Sequence, residues 1–217
     1  MVRKTGTRLP PCPLYAILDP AQAERPWESI LDALLDGGAR VIQLRAKELA
    51  ARDFLALATR ARAVTLPAGC LLIVNDRVDV ALACEADGVH LGQEDLPLGV
   101  ARRLMGKQKL VGISTHDLGQ AQEAERDGAD YIGFGPVFGT ATKDTGYTAR
   151  GIERLREVCG AVSIPVVAIG GISEANVAQA WEAGAHGAAM ISDLMRADDV
   201  AKKVRRILAL SEKAIGG

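Results

Sequence analysis

The chain has 217 residues, a length that admits one α/β domain with a sizeable core. Apolar residues make up 48% and aromatics only 4%, so that core must be built from Ala, Val, Leu and Ile, as where parallel strands are buried on both faces. A formal net charge of −1 excludes a basic field able to hold nucleic acid by charge alone, and no stretch approaches the roughly 20 apolar residues of a membrane span.

Residues 1–13 are basic and then Pro-rich, without an apolar segment of signal-peptide length. They read as a mobile lead-in to a single domain over 14–217. Cys12, Cys70, Cys84 and Cys159 show no CxxC or CxxH spacing. They read as small buried residues in a reducing, cytoplasmic setting.

A short apolar strand, 14–18, ends at Asp19-Pro20. Trp27, Ile30, Leu31, Leu34 and Leu35 then recur at helical spacing until Gly37-Gly38 stops the helix. A second strand, 41–44, runs into Arg45-Ala46-Lys47. Residues 49–66 are helical, with Phe54, Leu57, Ala58 and Ala61 on one face. A third strand, 71–74, stops at Asn75-Asp76; a helix carrying Val78, Ala81 and Leu82 follows; a fourth strand, 88–91, runs into Gly92-Gln93-Glu94-Asp95. A helix over 100–105, a strand over 110–113 ending at Ser114, a helix over 118–126 and a strand over 131–134 continue the alternation. The loop 135–148 is rich in Gly and Thr and longer than a usual connection, which marks it as a binding lid. A helix over 152–158, a strand over 164–169 ending in Gly170-Gly171, a helix with Ser173 as its N-cap, a strand over 187–191 and a last amphipathic helix over 200–210 complete the chain. Eight strand–helix units without a composition break predict a single (β/α)8 TIM barrel. Phrases such as Asp127-Gly128-Ala129-Asp130 and Glu182-Ala183-Gly184-Ala185-His186 recur before strands, and serve helix-to-strand turns rather than chemistry.

Active sites in such barrels lie at the C-terminal ends of the strands, so the residues just after each strand are the candidates. Gln43, Arg45 and Lys47 alternate, which places them on one face of an extended segment as a clamp for phosphate or diphosphate. The alternative is a surface salt bridge to Glu48 or Asp53. If the third and fourth strands are parallel neighbours, Asp76 and Asp95 come up side by side, a pair of oxygen ligands suited to Mg²⁺. Alternatively, Asp76 caps the following helix and Asp95 sits in a turn. His116 reads as a helix cap rather than a catalyst. Gly170-Gly171 and Ile191-Ser192 end the last two strands, where barrels commonly hold a phosphate against backbone N–H groups. The rim therefore offers one site for a diphosphate with Mg²⁺ and another for a monophosphate. No Ser–His–carboxylate set stands out, which points to chemistry driven by a leaving diphosphate.

Several phrases occur together, each after a predicted strand: Gln43-Leu44-Arg45-Ala46-Lys47, Asn75-Asp76-Arg77-Val78-Asp79, Gly88-Val89-His90-Leu91-Gly92-Gln93-Glu94-Asp95-Leu96, Gly112-Ile113-Ser114, Gly133-Phe134-Gly135-Pro136-Val137-Phe138 with Thr140-Ala141-Thr142-Lys143, and Ile169-Gly170-Gly171-Ile172. In this the chain resembles the thiamine phosphate synthase family from about Leu14 to Asp199. The resemblance implies condensation of 4-amino-2-methyl-5-hydroxymethylpyrimidine diphosphate with a thiazole phosphate, releasing diphosphate. It implies that Gln43, Arg45, Lys47, Asn75, Ser114 and Lys143 meet the pyrimidine diphosphate. Asp76 and Asp95 would hold Mg²⁺, and Thr140, Thr142, Gly171, Ile191 and Ser192 would hold the thiazole phosphate. Small phosphorylated substrates are the expected partners, with no nucleic acid and no membrane, and a homo-oligomer is compatible with this reading. The rival readings are a thiazole tautomerase of the same fold, which would lack the diphosphate clamp, and a non-catalytic binder of thiamine precursors. The chain departs from the family at Gly139, where Pro is common, and at Asp193, an acid beside the expected phosphate cradle.

Overall fold

The computed structural model describes residues 9–139 and 148–215. Its strands are β1 (Leu14–Leu18), β2 (Val41–Leu44), β3 (Leu71–Asn75), β4 (Gly88–Leu91), β5 (Leu110–Thr115), β6 (Tyr131–Phe134), β7 (Val166–Ala168) and β8 (Gly187–Met190). Each pairs in parallel with its sequence neighbour, and β8 returns to β1, so the expected eight-stranded barrel is closed. Around it lie α1 (Trp27–Asp36), α2 (Ala51–Thr65), α3 (Val78–Ala83), α4 (Leu98–Met105), α5 (Leu118–Arg126), α6 (Ile152–Ala161), α7 (Val177–Glu182), the four-residue α8 (Ser192–Met195) and α9 (Val200–Ile215). No described helix is long and apolar enough to cross a membrane.

Besides the unexpected α8, the loop after β7 and the lead-in differ from expectation. The helix after β7 starts at Val177 rather than after Ser173. The Asn176 side chain accepts from Ser173 N (2.8 Å) and donates to Gly171 O (2.9 Å), which ties the preceding loop into a turn. The lead-in is also packed from Leu9 onward. Leu9 and Cys12 are buried in the barrel's inner cluster, Trp181 Nε1 donates to Pro13 O (3.1 Å), and His186 Nε2 donates to Pro10 O (3.0 Å). Residues 9–13 therefore close the N-terminal end of the barrel.

Strand alternation sorts the core into two layers. Leu14, Ala16, Leu18, Ile42, Leu44, Leu72 and Val74 face the helices. Tyr15, Ile17, Val41, Ile73, Leu110, Tyr131, Val167 and Ala189 fill the interior. Two large rings fit there because glycines face them. A Cβ on Gly112 would lie 2.1 Å from Tyr131 Cζ, and one on Gly133 would lie 3.1 Å from His90 Cε1. Gly112→Ala should therefore destabilise the fold by about 1–3 kcal/mol, the usual cost of overpacking. Gly99→Ala, within α4 and in open space, should be neutral or stabilising. Urea unfolding midpoints at unchanged m-value check both.

The N-terminal ends of the strands carry struts. Asp87 accepts from Leu72 N (2.9 Å) and pairs with Arg62; Asp130 accepts from Val111 N (2.7 Å) and pairs with Arg102. Both arginines reach down from a helix to the turn entering a later strand, so these charges hold the barrel. The recurring turn glycines Gly38, Gly128 and Gly184 sit at φ 97°, 87° and 95°, left-handed values that a helix-ending glycine tolerates.

Candidate active site

At the C-terminal end of the barrel the backbone departs from regular alternation at Asp76. Its φ is 62°, which a residue with a Cβ rarely adopts and which costs about 1–3 kcal/mol. The turn is held from both sides: Asp76 N donates to His90 O (2.8 Å), and Arg77 N donates to Asn75 O (2.7 Å). No side chain caps α3, so Asp76 is not the helix cap that its position suggested. Its carboxylate instead lines a cavity of about 250 Å³ together with Lys47, Leu49, Phe54, Asn75 and Asp95.

Lys47 Nζ lies 3.1 Å from Asp76 Oδ2, and Asp95 Oδ2 accepts from Gly92 N (2.7 Å). Burial, and then the neighbouring Asp95 carboxylate, push the Asp76 carboxyl above the usual range, while Lys47 works in the other direction. Two acids from adjacent strands therefore share one cavity with half-exposed Lys47 and with Arg77, which pairs with Asp79, as parallel neighbours β3 and β4 require. Asp95 also closes its own turn, so the simpler reading of that residue holds alongside its place in the cavity.

Arg45 and Lys47 do not share a face. Strand β2 ends at Leu44, and beyond it Lys47 pairs with Asp76 in the first cavity while Arg45 pairs elsewhere. Arg45 forms an ion pair with Asp19, not with Glu48 or Asp53, and Asp19 is 1% exposed. The other Asp19 oxygen, Oδ1, accepts from Ala21 N (3.1 Å). Arg45 lines a second hollow of about 40 Å³ with Tyr15, Gln43, Asn75, His90 and Ser114. Asn75 borders both spaces and joins them.

A third hollow, of about 80 Å³, opens beside the second and shares Ser114, Gly133, Ile169, Ala189 and Ile191 with it. Gly170, Gly171 and Ser192 form its far wall. Gly171 sits at φ 63°, and a Cβ there would lie 2.4 Å from Gly139 O, so glycine is needed for the loop after β6 to close over it. His116 is not a cap. Asp117 caps α5 by accepting from Gln120 N (2.8 Å), while His116 Nδ1 donates to Gly135 O (2.7 Å) and borders this hollow. Asp193 points away from the cradle, its carboxylate accepting from Glu174 N (3.0 Å) and from Lys203 Nζ (2.6 Å). Thr140, Thr142 and Lys143 lie outside the described residues.

Sequence reasoning missed Asp19, Tyr15, His90 and Tyr131. All four were accessible to it: Leu18 pairs with Leu44, so Asp19 comes up beside Arg45, and the parity that points Gln43 inward also points Tyr15, His90 and Tyr131 inward on their own strands.

The chain matches the family model described as thiamine monophosphate synthase over residues 14–194. It is 47% identical to a thiamine-phosphate synthase of Chloroflexus aurantiacus over 207 residues, covering 93% of this chain and 95% of that one. It is 47% identical to the enzyme of that name from Moorella thermoacetica, covering 88% of this chain and 91% of the other. The solved thiamine phosphate pyrophosphorylase of Pyrococcus furiosus superposes with a TM-score of 0.85 at 40% identity, covering 94% of this chain and 96% of that one. A site divided between an acid–lysine cavity and a glycine-walled hollow, at the open end of a closed barrel, thus goes with likeness over nearly the full length, and the chain belongs to the thiamine monophosphate synthase family.

Proposed function

We propose that this chain joins 4-amino-2-methyl-5-hydroxymethylpyrimidine diphosphate to a thiazole phosphate, giving thiamine phosphate and diphosphate. The observation that carries this reading is the pair of adjoining hollows that meet at Ser114. One leads past Arg45 and Asn75 to Lys47, Asp76 and Asp95; the other ends at Gly171 and Ser192. A diphosphate fits the first direction and a monophosphate the second, with the reacting atoms between them.

The acid cavity also fits Mg²⁺. Two partly buried carboxylates face one described lysine there, Arg77 being taken up by Asp79, and hard oxygen donors suit a small divalent cation. Among the described residues no group of three or more acidic, His or Cys side chains gathers, so Asp76 and Asp95 would be the protein's share of the shell. When bound, the ion neutralises charge on the diphosphate oxygens. The protein's own cations, Arg45, Lys47 and, by resemblance, Lys143, meet the charge that grows as the carbon–oxygen bond to diphosphate breaks. The bond electrons leave with diphosphate, the pyrimidine ring stabilises the cationic methylene carbon, and the thiazole nitrogen lone pair forms the new C–N bond. The chain needs no nucleophile of its own. It binds, aligns and keeps water from the cation. The four cysteines, free in the structure, fit a cytoplasmic setting.

Incubation with both precursors and Mg²⁺ should give thiamine phosphate and diphosphate in equal amounts, and omission of any component should stop both. Conversion of a carboxylated thiazole phosphate alone, without diphosphate release, would replace this reading with the tautomerase. Binding of both precursors without product would leave only a binder.

A further inference from the structure

Five side chains on the barrel's inner face form one unbroken hydrogen-bonded chain across it. Gln43 Nε2 donates to the Tyr15 hydroxyl (3.0 Å), and the Tyr15 and Tyr131 hydroxyls lie 2.8 Å apart. Tyr131 Oη is 3.1 Å from His90 Nδ1, and His90 Nε2 is 3.0 Å from Ser114 Oγ. Both tyrosines are fully buried, and burial holds their hydroxyls protonated. The two ends, Gln43 and Ser114, line the same hollow.

Counting protons gives the chain a direction. The Gln43 amide N–H can only donate, so Tyr15 oxygen accepts from it and its own proton is free to go to Tyr131. Tyr131 then donates to His90 Nδ1, and the His90 proton sits on Nε2 and points to Ser114 Oγ. In the opposite tautomer, with the proton on Nδ1, Tyr131 would donate back to Tyr15. The buried Tyr15 proton would then have no partner in the chain, a costly arrangement. The running direction leaves Gln43 Oε1 as an acceptor and the Ser114 hydroxyl proton as a donor.

We propose that Tyr15, Tyr131 and His90 are positioning residues, which set the Gln43 amide and the Ser114 hydroxyl as an acceptor–donor pair for an aminopyrimidine ring. Such a ring offers the complement, an exocyclic amino group that donates and a ring nitrogen that accepts. This rests on the reading above that Gln43 and Ser114 meet the pyrimidine. Ring packing of Tyr131 against Gly112 survives removal of its oxygen, so Tyr131→Phe cuts the chain at its centre with little loss of contact.

The test is steady-state kinetics with nitrogen-15 NMR of the histidines. In the parent, His90 should show the Nε2–H pattern. In Tyr131→Phe that bias should be lost and kcat should fall about tenfold, the scale of one misdirected hydrogen bond. Ser114→Ala should cost more. The Tyr131→Phe/Ser114→Ala double variant should be slower than Ser114→Ala by clearly less than the tenfold of Tyr131→Phe alone, because the chain acts in part through that hydroxyl. Additive losses, or an unchanged tautomer in Tyr131→Phe, would overturn the proposal. If Tyr131→Phe does not fold, Tyr15→Phe cuts the chain at its Gln43 end: the Tyr131 proton still has only His90 Nδ1 to go to, so the Nε2–H pattern should persist while kcat falls, and a loss fully additive with that of Gln43→Ala would overturn the proposal. Parent-like turnover in both Ser114→Ala and Gln43→Ala would instead remove the pyrimidine contacts themselves.

Discussion

Asp76→Asn is expected to lower turnover by about 10²–10³-fold, the scale of losing one preorganised contact to a leaving group, while making the metal-free protein more stable at neutral pH. Asn tolerates the left-handed φ of 62° that position 76 requires, so the variant removes charge without adding backbone strain. The stability sign follows from the environment. Burial and Asp95 raise the Asp76 carboxyl in the fold above its unfolded value of 3.8, so folding favours its protonated form. The stability that goes with protonation is fully present below pH 3.8 and is lost as pH rises through the higher folded value. At neutral pH the parent therefore carries a penalty that Asn lacks, and the advantage of the variant should fade as pH falls toward 4. Mg²⁺ should raise the thermal midpoint of the parent and leave that of the variant nearly unchanged. Thermal melts across pH, with and without Mg²⁺, and product assays check each part. Full turnover in the variant would remove Asp76 from the leaving-group site.

How far the sequence could be read depended on the range of the interactions concerned. Strand and helix positions came from periodicity and from the punctuation of Gly37-Gly38, Gly128 and Gly184, which are local signals, and the eight-unit count then implied closure. The pairing of Asp76 with Asp95 was also legible, because it follows from adjacency of β3 and β4 alone. The ion pair of Asp19 with Arg45 follows from the same kind of adjacency, of β1 with β2, and was overlooked all the same. Asp19 lies 26 positions before Arg45 in the chain and looked like a strand-ending turn residue, yet it is the buried counter-ion of that arginine. Glu48 and Asp53 were nearer in sequence and were the wrong candidates. Lys47 departed from the alternation because β2 stops at Leu44, and strand ends are the least legible boundaries. The short α8 and the packed residues 9–13 escaped notice for a related reason. Both are held by tertiary contacts, Asp193 to Lys203 and Cys12 beneath Gly187, rather than by local propensity.

Arg45→Ala is expected to cost about 3–5 kcal/mol of folding stability in addition to activity, because it strands a buried carboxylate. Asp19 is 1% exposed, and among the described residues it would keep only the Ala21 N–H as a partner in the variant. The pair is therefore more than a clamp. Asp19 anchors the guanidinium at the end of β1, and the side chain borders the hollow that leads past Asn75 to the acid cavity. Loss of stability and loss of chemistry can be separated by the double variant Asp19→Asn/Arg45→Ala. Neutralising Asp19 removes the stranded charge, so the double variant should recover most of the lost stability in urea or thermal unfolding. Its turnover should stay as low as that of Arg45→Ala, since the cation that faces the leaving diphosphate is still missing. Arg45→Lys should hold the fold through its charge yet remain slow, because an ammonium cannot bridge Asp19 and a phosphate with the planar fork of a guanidinium. Recovery of turnover together with stability in the double variant would mean that Arg45 serves the fold alone, and the diphosphate would then be met by Lys47 and the acid cavity without it.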